Sequence, residues 1–508
     1  MRNDTSHHGT RISLGIPGLD QVLGGGIPRH KLYLVQGDPG SGKTTLALQF
    51  LLEGVRRGEP VLYITLSESK DDLAEIAESH GWSLDGVTVH EISAPAEEVP
   101  ADDDYTVFHP GEVELGDLLK DFFAVAETLN PQRVVIDSLS ELRLLARDAL
   151  RYRRHLLSIR KFFTSRACTV LLLDAGRAED EDLQANTLPH GVIALEHESP
   201  AFGARRRRLI VAKMRGVKFD DGYHDVAIET GGLVVYPRLV AADHDVPFER
   251  GKAGSGLPAL DRLCGGGLRR GTSTVIMGAA GAGKSTLAAR FIEAAADRGE
   301  AGALFTFDET VQTFLDRCDG LGMRIGEFVR QGTVAARQID PGELSPGQFA
   351  RLVCDHVEKQ GARVVAIDSL NGYLQAMPDE RFLLVQLHEL VTYLAGRGVV
   401  TLLIVAQHGL LGRDINAAID VSYLADTVFL LRYFEAEGEV RKCISLVKNR
   451  TGPHEPTIRE LQITERGIQI GRPLKDFHGV LTGVPTFEGP TPPVDEGEGD
   501  EGTDGKLR

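Results

Sequence analysis

The chain carries one sequence pattern twice, and this duplication constrains its fold more than any other feature. Residues 15–50 read GIPGLDQVLGGGIPRHKLYLVQGDPGSGKTTLALQF, and residues 256–291 read GLPALDRLCGGGLRRGTSTVIMGAAGAGKSTLAARF. The two segments align without a gap, and Lys43 and Lys284 lie 241 residues apart. This period is far longer than a solenoid unit and has the size of a domain. The sequence therefore predicts two tandem copies of one fold.

The composition of the segments between and after the two copies predicts where each domain ends. Residues 238–256, RLVAADHDVPFERGKAGSG, interrupt the apolar pattern on either side and are the predicted linker. We therefore expect a first domain over residues 1–243 and a second over residues 244–484. Residues 485–508 are rich in Pro, Gly and acids. Because such a segment buries too little apolar surface to offset the entropy of ordering, it is predicted to be a disordered acidic tail.

Charge and cysteine content narrow the class of protein. The 508 residues carry a formal net charge of −17, which disfavours nucleic acid and anionic lipid as partners. The five cysteines form no C-x-x-C pair, which is typical of buried thiols in a reducing compartment. No apolar run approaches the length of a membrane span, and the first residues lack the apolar core of a signal peptide. These features predict a cytoplasmic protein without a membrane segment.

Each copy alternates short β-rich runs with helical segments. KLYLVQ, VLYITL, RVVIDSL and TVLLLDA in the first copy have counterparts TSTVIMG, ALFTF, RVVAIDSL and TLLIVAQ in the second. Continuous apolar strands joined by helices are typical of a parallel sheet covered on both faces. Each copy then ends in alternating segments that are typical of antiparallel hairpins. The predicted fold is α/β, with two tandem P-loop NTPase domains whose parallel sheets carry appended hairpins.

Two glycine-rich loops match the phosphate-binding pattern G-x-x-x-x-G-K-[ST]. GDPGSGKT spans residues 37–44 and GAAGAGKS spans residues 278–285, and each follows a predicted strand and opens a predicted helix. The glycines let the backbone wrap a phosphate, and the helix N-terminus directs free N–H groups at the anion. A chance match of a glycine-rich turn is the alternative, which two aligned copies disfavour. The predicted nucleotide-binding residues are Gly37, Gly40, Gly42, Lys43, Thr44, Thr45, Gly278, Gly281, Gly283, Lys284, Ser285 and Thr286.

A magnesium ion bound with the nucleotide needs a hydroxyl and an acid at each loop. Thr44 and Ser285 would place the hydroxyl on Mg²⁺. Asp137 and Asp368 each end an apolar strand (RVVID, RVVAID) and are predicted to hold the metal through its water. The alternative is that each aspartate only caps the helix that follows.

A second set of acids ends another strand of each copy. TLSES carries Glu68 alone, whereas TFDET carries Asp308 and Glu309, and Glu68 aligns with Glu309 under the same offset. We expect this strand to lie next to the P-loop strand, so that its acid reaches past the γ-phosphate and orients a water. The alternative is a solvated loop acid.

These motifs together resemble the KaiC family of RecA-type ATPases. The resemblance covers residues 10 to 484 and includes the doubled G-x-x-x-LD-x-x-x-GGG, both P-loops, the strand-end acids, two IDSL strands and two K-x-R-x-G hairpins. IDSLSELRLLARDALRYRR, VAQHG and DVSYLADTVFLLRYFE place it nearer the KaiC-like proteins of bacterial signalling than the clock protein. The resemblance implies ATP as the nucleotide and a hexamer with nucleotide between neighbouring subunits.

In such a hexamer the K-x-R pairs would reach the neighbour's phosphates. The resemblance assigns this role to Lys213 and Arg215, and to Lys448 and Arg450. A cation delivered to the γ-phosphate stabilises charge in the transition state, and Arg can do so bidentately. A solvated cationic hairpin is the alternative. For the nearby run 205–208, RRRR, a solvated or subunit-contacting strand start is favoured over a nucleic-acid patch.

The resemblance also suggests the hypothesis that the chain phosphorylates itself. The clock protein's second ring phosphorylates an adjacent Ser-Thr pair, and the matching DVSYLADT has Ser422 at the Ser position and Tyr423 in place of Thr. Asp308 and Glu309 could supply the base for such a transfer. Our hypothesis is that the first ring hydrolyses ATP slowly or holds hexamers together, whereas the second retains the equipment for phosphoryl transfer.

Three functions are compatible with these residues. The first is a KaiC-like signalling ATPase with serine/threonine autokinase activity and a signalling protein as partner. The second is a DNA-dependent motor of the RecA or helicase kind, which shares the core fold. The third is a nucleotide-gated scaffold with little turnover.

Overall fold

A computed structural model gives the fold of the chain. It describes residues 11–92, 110–146, 148–176, 187–200, 203–241, 246–375, 383–407, 422–480 and 486–487, without the side chains of 110–114, 375 and 422. The chain divides into two compact units: Met1–Val240 with Gly342–Leu352, and Ala241–Pro341 with Val353–Arg508. The change of unit after Val240 falls within the predicted linker. The predicted limits 1–243 and 244–484 stay predictions.

The first unit is built on a nine-stranded sheet in the order β11-β10-β9-β8-β3-β7-β6-β4-β5. Strands β5, β4, β6, β7, β3 and β8 run parallel, and β9, β10 and β11 continue the sheet antiparallel. A two-stranded sheet, β1 with β2, precedes it. The strands are β1 Arg11–Ile12, β2 Ile27–Pro28, β3 Leu32–Gly37, β4 Val61–Thr65, β5 Val87–Glu91, β6 Arg133–Asp137, β7 Thr169–Asp174, β8 Gly191–Glu198, β9 Arg206–Met214, β10 Tyr223–Glu229 and β11 Gly232–Tyr236.

The second unit repeats this arrangement strand for strand. Its nine-stranded sheet has the order β16-β15-β17-β18-β14-β19-β20-β21-β22, and β20 to β22 are antiparallel. Two short sheets, β12 with β13 and β23 with β24, flank it. The strands are β12 Lys252–Ala253, β13 Leu268–Arg269, β14 Ser273–Gly278, β15 Gly302–Thr306, β16 Val334–Gln338, β17 Val364–Asp368, β18 Val400–Ala406, β19 Thr427–Ala436, β20 Glu439–Asn449, β21 Ile458–Thr464, β22 Gly467–Pro473, β23 Phe477–His478 and β24 Thr486–Phe487.

Helices connect the parallel strands and cover both faces of each sheet. In chain order the helices of the described residues are Pro17–Val22, Lys43–Arg56, Lys70–Ser79, Pro110–Leu129, Leu139–Ala146, Ala149–Ser165, Pro258–Leu263, Lys284–Asp297, Val311–Gly320, Ile325–Arg330, Pro346–Gln360, Leu370–Gln375 and Leu383–Gly396, with a 3₁₀ turn at Ser422–Leu424. The predicted α/β fold class, tandem P-loop domains with appended hairpins, is confirmed. Among the described residues, no helix is both long and apolar enough to cross a bilayer.

The P-loop strand of the first unit is buried on both faces, which fixes the loop that follows it. Tyr33 and Val35 pack into one hydrophobic cluster, and Leu32 and Leu34 pack into the cluster on the opposite face. Alternate residues of a strand point to opposite faces, so the apolar side chains of β3 pack into both clusters. The loop therefore starts from a rigid base.

The predicted neighbour of the P-loop strand is wrong. The strand that carries Glu68 at its end, β4, is separated from β3 by β6 and β7, and β15 is separated from β14 by β17 and β18. The connection through helix Lys43–Arg56 crosses over two strand positions, which later strands of the chain fill. The acids still lie at the P-loop edge, because all parallel strands of the sheet end at that edge.

The two cores differ where the first unit buries an arginine. Arg133 begins β6, is fully buried, and bonds to Glu59 at 2.6 Å and to the carbonyls of Ser13 and Phe50 at 2.8 Å. Its stem occupies the space that a Cβ on Gly54 would need, at 2.7 Å from Arg133 Cδ. The corresponding positions of the second unit are Val364 and Ala295, so the glycine and the arginine are a matched pair.

The predicted tail lies almost wholly outside the described residues. Thr486–Phe487 pairs antiparallel with Phe477–His478, two residues into the predicted tail. Residues 488–508 lie outside the described part of the chain.

Candidate active sites

The first P-loop forms a cradle that a phosphate fits. Gly42 has φ 106° at the N-cap of helix Lys43–Arg56, in the left-handed region that favours glycine. A Cβ on Gly37 would lie 2.2 Å from the carbonyl oxygen of Leu195, so the loop approaches β8 too closely for a side chain. Lys43 donates to the carbonyls of Gly37 at 2.7 Å and Asp38 at 3.1 Å. The lysine is thus folded over the loop whose backbone would hold the phosphate.

The second P-loop repeats this geometry. Gly283 has φ 102° at the N-cap of helix Lys284–Asp297, and Lys284 donates to the carbonyl of Ala279 at 2.8 Å. Burial lowers the pKa of Lys284, and Asp368 and Asp308 oppose that shift. Burial likewise lowers the pKa of Lys43. Thr45 and Thr286, the last predicted nucleotide-binding residues of each loop, are buried in the first turn of their helices.

The predicted metal-side aspartates lie beside the predicted hydroxyls. Asp137 ends β6 and accepts a hydrogen bond of 2.6 Å from the hydroxyl of Tyr63, which also interacts with Thr44. Burial raises the pKa of Asp137, and the Tyr63 bond and Lys43 oppose that shift. In the second unit Asp368 interacts directly with Ser285, and burial raises its pKa.

This donor set fits Mg²⁺ bound with a triphosphate. Each site pairs one hydroxyl with one carboxylate, and magnesium commonly uses one or two carboxylates together with substrate phosphates. In the first unit burial raises the pKa of Asp137 and of the half-buried Glu68, and the charge of Asp137 adds to the shift of Glu68. A cation at this place would stabilise the charged form of both carboxylates.

The strand-end acids Glu68 and Glu309 occupy equivalent positions. Thr65 donates to the carbonyl of Glu68 at 2.7 Å, and Thr306 donates to the carbonyl of Glu309 at 2.9 Å. The backbone that follows β4 is tied to Asp137, since the N–H of Leu66 donates to its carbonyl at 2.7 Å. Strand end, acid and metal-side aspartate therefore form one rigid unit.

The side chains of the two glutamates differ. Glu68 Oε2 is buried without a hydrogen-bond partner among the described residues, and burial raises the pKa of Glu68, with Asp137 and Asp72 adding to the shift. Glu309 is held by Arg317 through two hydrogen bonds of 2.8 and 3.0 Å. Asp308 accepts a short hydrogen bond from Ser369.

The predicted K-x-R residues lie at the opposite edge of each sheet from the P-loop. The N–H of Arg215 donates to His190, whose N–H donates to Leu32, so Arg215 is level with the start of β3. The N–H of Arg450 donates to Asp426, whose N–H donates to Ser273 at the start of β14. Each arginine is thus level with a strand residue that stands five positions before the P-loop glycine. This places it about 16 Å from that glycine along the strand. A β-bulge beside Lys213 and Lys448 occurs at the same place in both units.

The predicted phosphorylation region lies at that same edge. The turn Ser422–Leu424 precedes β19, and the hydroxyl of Ser273 donates to the carbonyl of Leu424 at 2.5 Å. The side chain of Tyr423 is 47% exposed, and its ring lies 6.3 Å from that of His388. The side chain of Ser422 lies outside the described residues.

Three side chains that act on the sites were not predicted from the sequence. Tyr63 holds Asp137, Arg317 holds Glu309, and Asp174 ends β7 beside Lys43, paired with Arg143 at 2.8 Å. Alignment of the copies gives a signal for two of them. Tyr63 aligns with Leu304 and Arg317 aligns with Ile76, so a polar group replaces an apolar one at each.

The basic run 205–208 also lies at the first P-loop. The side chain of Arg207 donates to the carbonyl of Gly40 at 3.4 Å, and a Cβ on Gly40 would lie 3.3 Å from Arg205. The run is therefore a neighbour of the phosphate cradle rather than a remote surface patch.

Comparison with known proteins gives one consistent result. The family model described as ATPase: KaiC matches residues 12–240 and again residues 253–475. The chain is 26% identical over 486 residues to the circadian clock protein KaiC3 of Synechocystis sp., covering 94% of this chain and 95% of that protein. It is 26% identical over 488 residues to the circadian clock oscillator protein KaiC of Thermostichus vulcanus, covering 94% and 92%. Identity to the oscillator protein of Parathermosynechococcus lividus is 27% over 481 residues, covering 93% and 87%.

The contact of Tyr63 with Asp137 yields a prediction. In a Lys284→Ala background, which leaves the first site, Tyr63→Phe should raise the Mg²⁺ concentration for half-maximal binding of a fluorescent ATP analogue about tenfold, because a group that orients a metal-side ligand typically contributes that much. Tyr33→Phe is the control, since Tyr33 is buried in the same sheet but donates to Pro28. An unchanged Mg²⁺ midpoint for Tyr63→Phe would contradict the assignment of Asp137 to the metal.

Proposed function

Because the chain belongs to the KaiC family of ATPases, we propose that it works as a hexameric signalling ATPase whose nucleotides lie between subunits and whose second domain phosphorylates itself. The observation that carries the proposal is the doubled site. Each unit has a P-loop lysine, a strand-end aspartate and a glutamate at one sheet edge, and a K-x-R pair at the other. The family match supports the ATPase activity, and the remaining steps rest on this geometry.

Hydrolysis at such a site is an in-line displacement. The oxygen of a water bonds to the γ-phosphorus, the bond from that phosphorus to the bridging oxygen breaks, and its electron pair leaves with ADP. Bound Mg²⁺ would neutralise charge on the β- and γ-phosphates. Lys43 or Lys284 would hold those phosphates, and Glu68 or Glu309 would orient the water and take its proton.

The position of the K-x-R pairs supports a site shared by two subunits. Arg215 and Arg450 lie about 16 Å along the strand from the P-loop glycine of their own unit, beyond the reach of its nucleotide. In a head-to-tail ring, one edge of each subunit faces the opposite edge of the next. Each arginine would then reach the neighbour's γ-phosphate and stabilise its developing charge.

The same geometry bears on self-phosphorylation. Ser422–Leu424 lies at the edge that carries Arg450, away from the second P-loop of its own unit. An acceptor there would receive the γ-phosphoryl group from a neighbour's ATP, and its hydroxyl proton would pass to Asp308 or Glu309 of that neighbour. Ser422 and Tyr423 are the proposed acceptors.

One observation favours the scaffold as a second function, for the second domain alone. Glu309 is held by Arg317, which would slow hydrolysis at the second site while leaving its phosphate cradle intact. Turnover that rises on addition of DNA would instead favour the motor.

A shared site predicts complementation between inactive chains. In a Glu309→Gln background, which isolates first-domain turnover, Lys43→Ala chains and Arg215→Ala chains should each be inactive. Reassembled at equal amounts, they should recover roughly a quarter of the parental rate, because random mixing in a head-to-tail ring gives that share of interfaces an intact Lys43 and Arg215. Phosphate release measures the rate.

The control mixes Lys43→Ala chains with Glu68→Gln chains. Both residues belong to the same subunit's half of the site, so this mixture should stay inactive. Recovery in neither mixture would contradict a shared site, and recovery in the control mixture would contradict the placement of Lys43 and Glu68 in one subunit's half of it.

The acceptor assignment predicts where label from γ-labelled ATP will appear. The intact chain should take up label, and Ser422→Ala with Tyr423→Phe should abolish it, because these hydroxyls are the only proposed acceptors. Tyr223→Phe should keep the label and is a matched control, since Tyr223 is also 47% exposed. Label that persists in the double variant would contradict the assignment.

A further inference from the structure

The two candidate catalytic glutamates have different partners despite their equivalent backbone. Both oxygens of Glu309 accept hydrogen bonds from Arg317, at 2.8 Å to Oε1 and 3.0 Å to Oε2. Glu68 has a buried Oε2 without a hydrogen-bond partner among the described residues. The difference lies in the side chains, because Thr65 and Thr306 fix the two backbones in the same way.

The residue responsible lies on the helix that follows each acid. Helix Lys70–Ser79 begins after the cap Ser69, and helix Val311–Gly320 begins after the cap Thr310, so the two helices start in the same register. Eight residues beyond the acid, the first helix presents Ile76 and the second presents Arg317. Ile76 lines an open cleft together with Glu68, Asp72, Glu75 and Ser79.

Arg317 donates hydrogen bonds to Glu309, and its charge also opposes the raised pKa of Asp368. Its guanidinium lies 5.4 Å from the centre of the Phe314 ring, which supports its stem against the core. Asp308, the other acid of this strand end, is held by Ser369 instead. The side chain of Glu309 is 19% exposed and that of Arg317 is 37% exposed, so the pair is only partly screened by solvent.

We propose that Arg317 is a positioning residue that restrains Glu309 and makes second-domain ATP hydrolysis slower than first-domain hydrolysis. This inference rests on the proposed function, in which each glutamate takes the proton of the attacking water. A carboxylate that accepts both N–H groups of an arginine is fixed in direction and shares its charge with them, so it receives that proton less readily. Among the described residues, Glu68 has no such partner. The contacts thus favour the opposite division of hydrolysis from the one expected from the number of acids.

The test measures each domain separately by silencing the other. In a Glu68→Gln background, Arg317→Ile should raise second-domain kcat roughly three- to tenfold with KM changed less than about twofold, since only a partly exposed ion pair is removed. Arg317→Lys should give an intermediate gain because lysine makes a single contact. Adding Glu309→Gln to Arg317→Ile should abolish the gain.

The reciprocal change transplants the restraint. In a Glu309→Gln background, Ile76→Arg should lower first-domain kcat by a similar factor and leave nucleotide affinity in place. A merely structural role of Arg317 would not transfer in this way. Arg324→Ile is the matched control, because Arg324 is exposed and pairs with Asp297 away from the acids, and it should change neither rate.

The outcomes separate this inference from the proposed function. An unchanged or lower second-domain kcat in Arg317→Ile overturns the restraint, and so does an unchanged first-domain kcat in Ile76→Arg if Arg317→Ile fails to fold. ATP turnover that survives Glu68→Gln combined with Glu309→Gln would instead contradict the proposed function itself.

Discussion

Everything in this molecule depends on a backbone turn that presents N–H groups to a phosphate at the end of a buried strand. The turn needs glycine twice over: Gly42 and Gly283 adopt positive φ, and Gly37 and Gly278 pass too close to a neighbouring carbonyl for any side chain. Strand β3 is packed on both faces, so the turn is held rigid by the core beneath it. A preorganised cradle of this kind binds an anion without a further loss of its own conformational entropy.

The parallel strands then bring the candidate catalytic side chains to one edge of the sheet. The carboxyl ends of six strands meet at one edge, which brings Lys43, Asp137 and Glu68 together. The strands that end at Asp137 and before Glu68 are not neighbours of the P-loop strand. The antiparallel strands that extend the sheet return the chain to the other edge and place Arg215 there. In the proposed function, each edge of the sheet carries one half of a site, and neighbouring copies of the chain complete each other.

Much of this was predictable from sequence, because phosphate binding imposes a strict pattern. The P-loops, the strand-end aspartates and the parallel sheets follow from glycine spacing and apolar runs. The strand order does not, since every apolar strand reads alike and only the length and path of the crossovers decide which strands pair. Side chains such as Tyr63 and Arg317 carry no motif, and their role depends on a neighbour brought up by the fold. Gly54 and Arg133 illustrate the same limit, since a buried arginine explains the glycine only once both are seen together.

The central claim is that each chain binds two magnesium-bound nucleoside triphosphates. Equilibrium binding of a non-hydrolysable ATP analogue tests it most directly. We expect two analogue molecules per chain in the presence of Mg²⁺, one after Lys43→Ala or Lys284→Ala, and none after both changes. Two molecules still bound by the doubly substituted chain would contradict the claim.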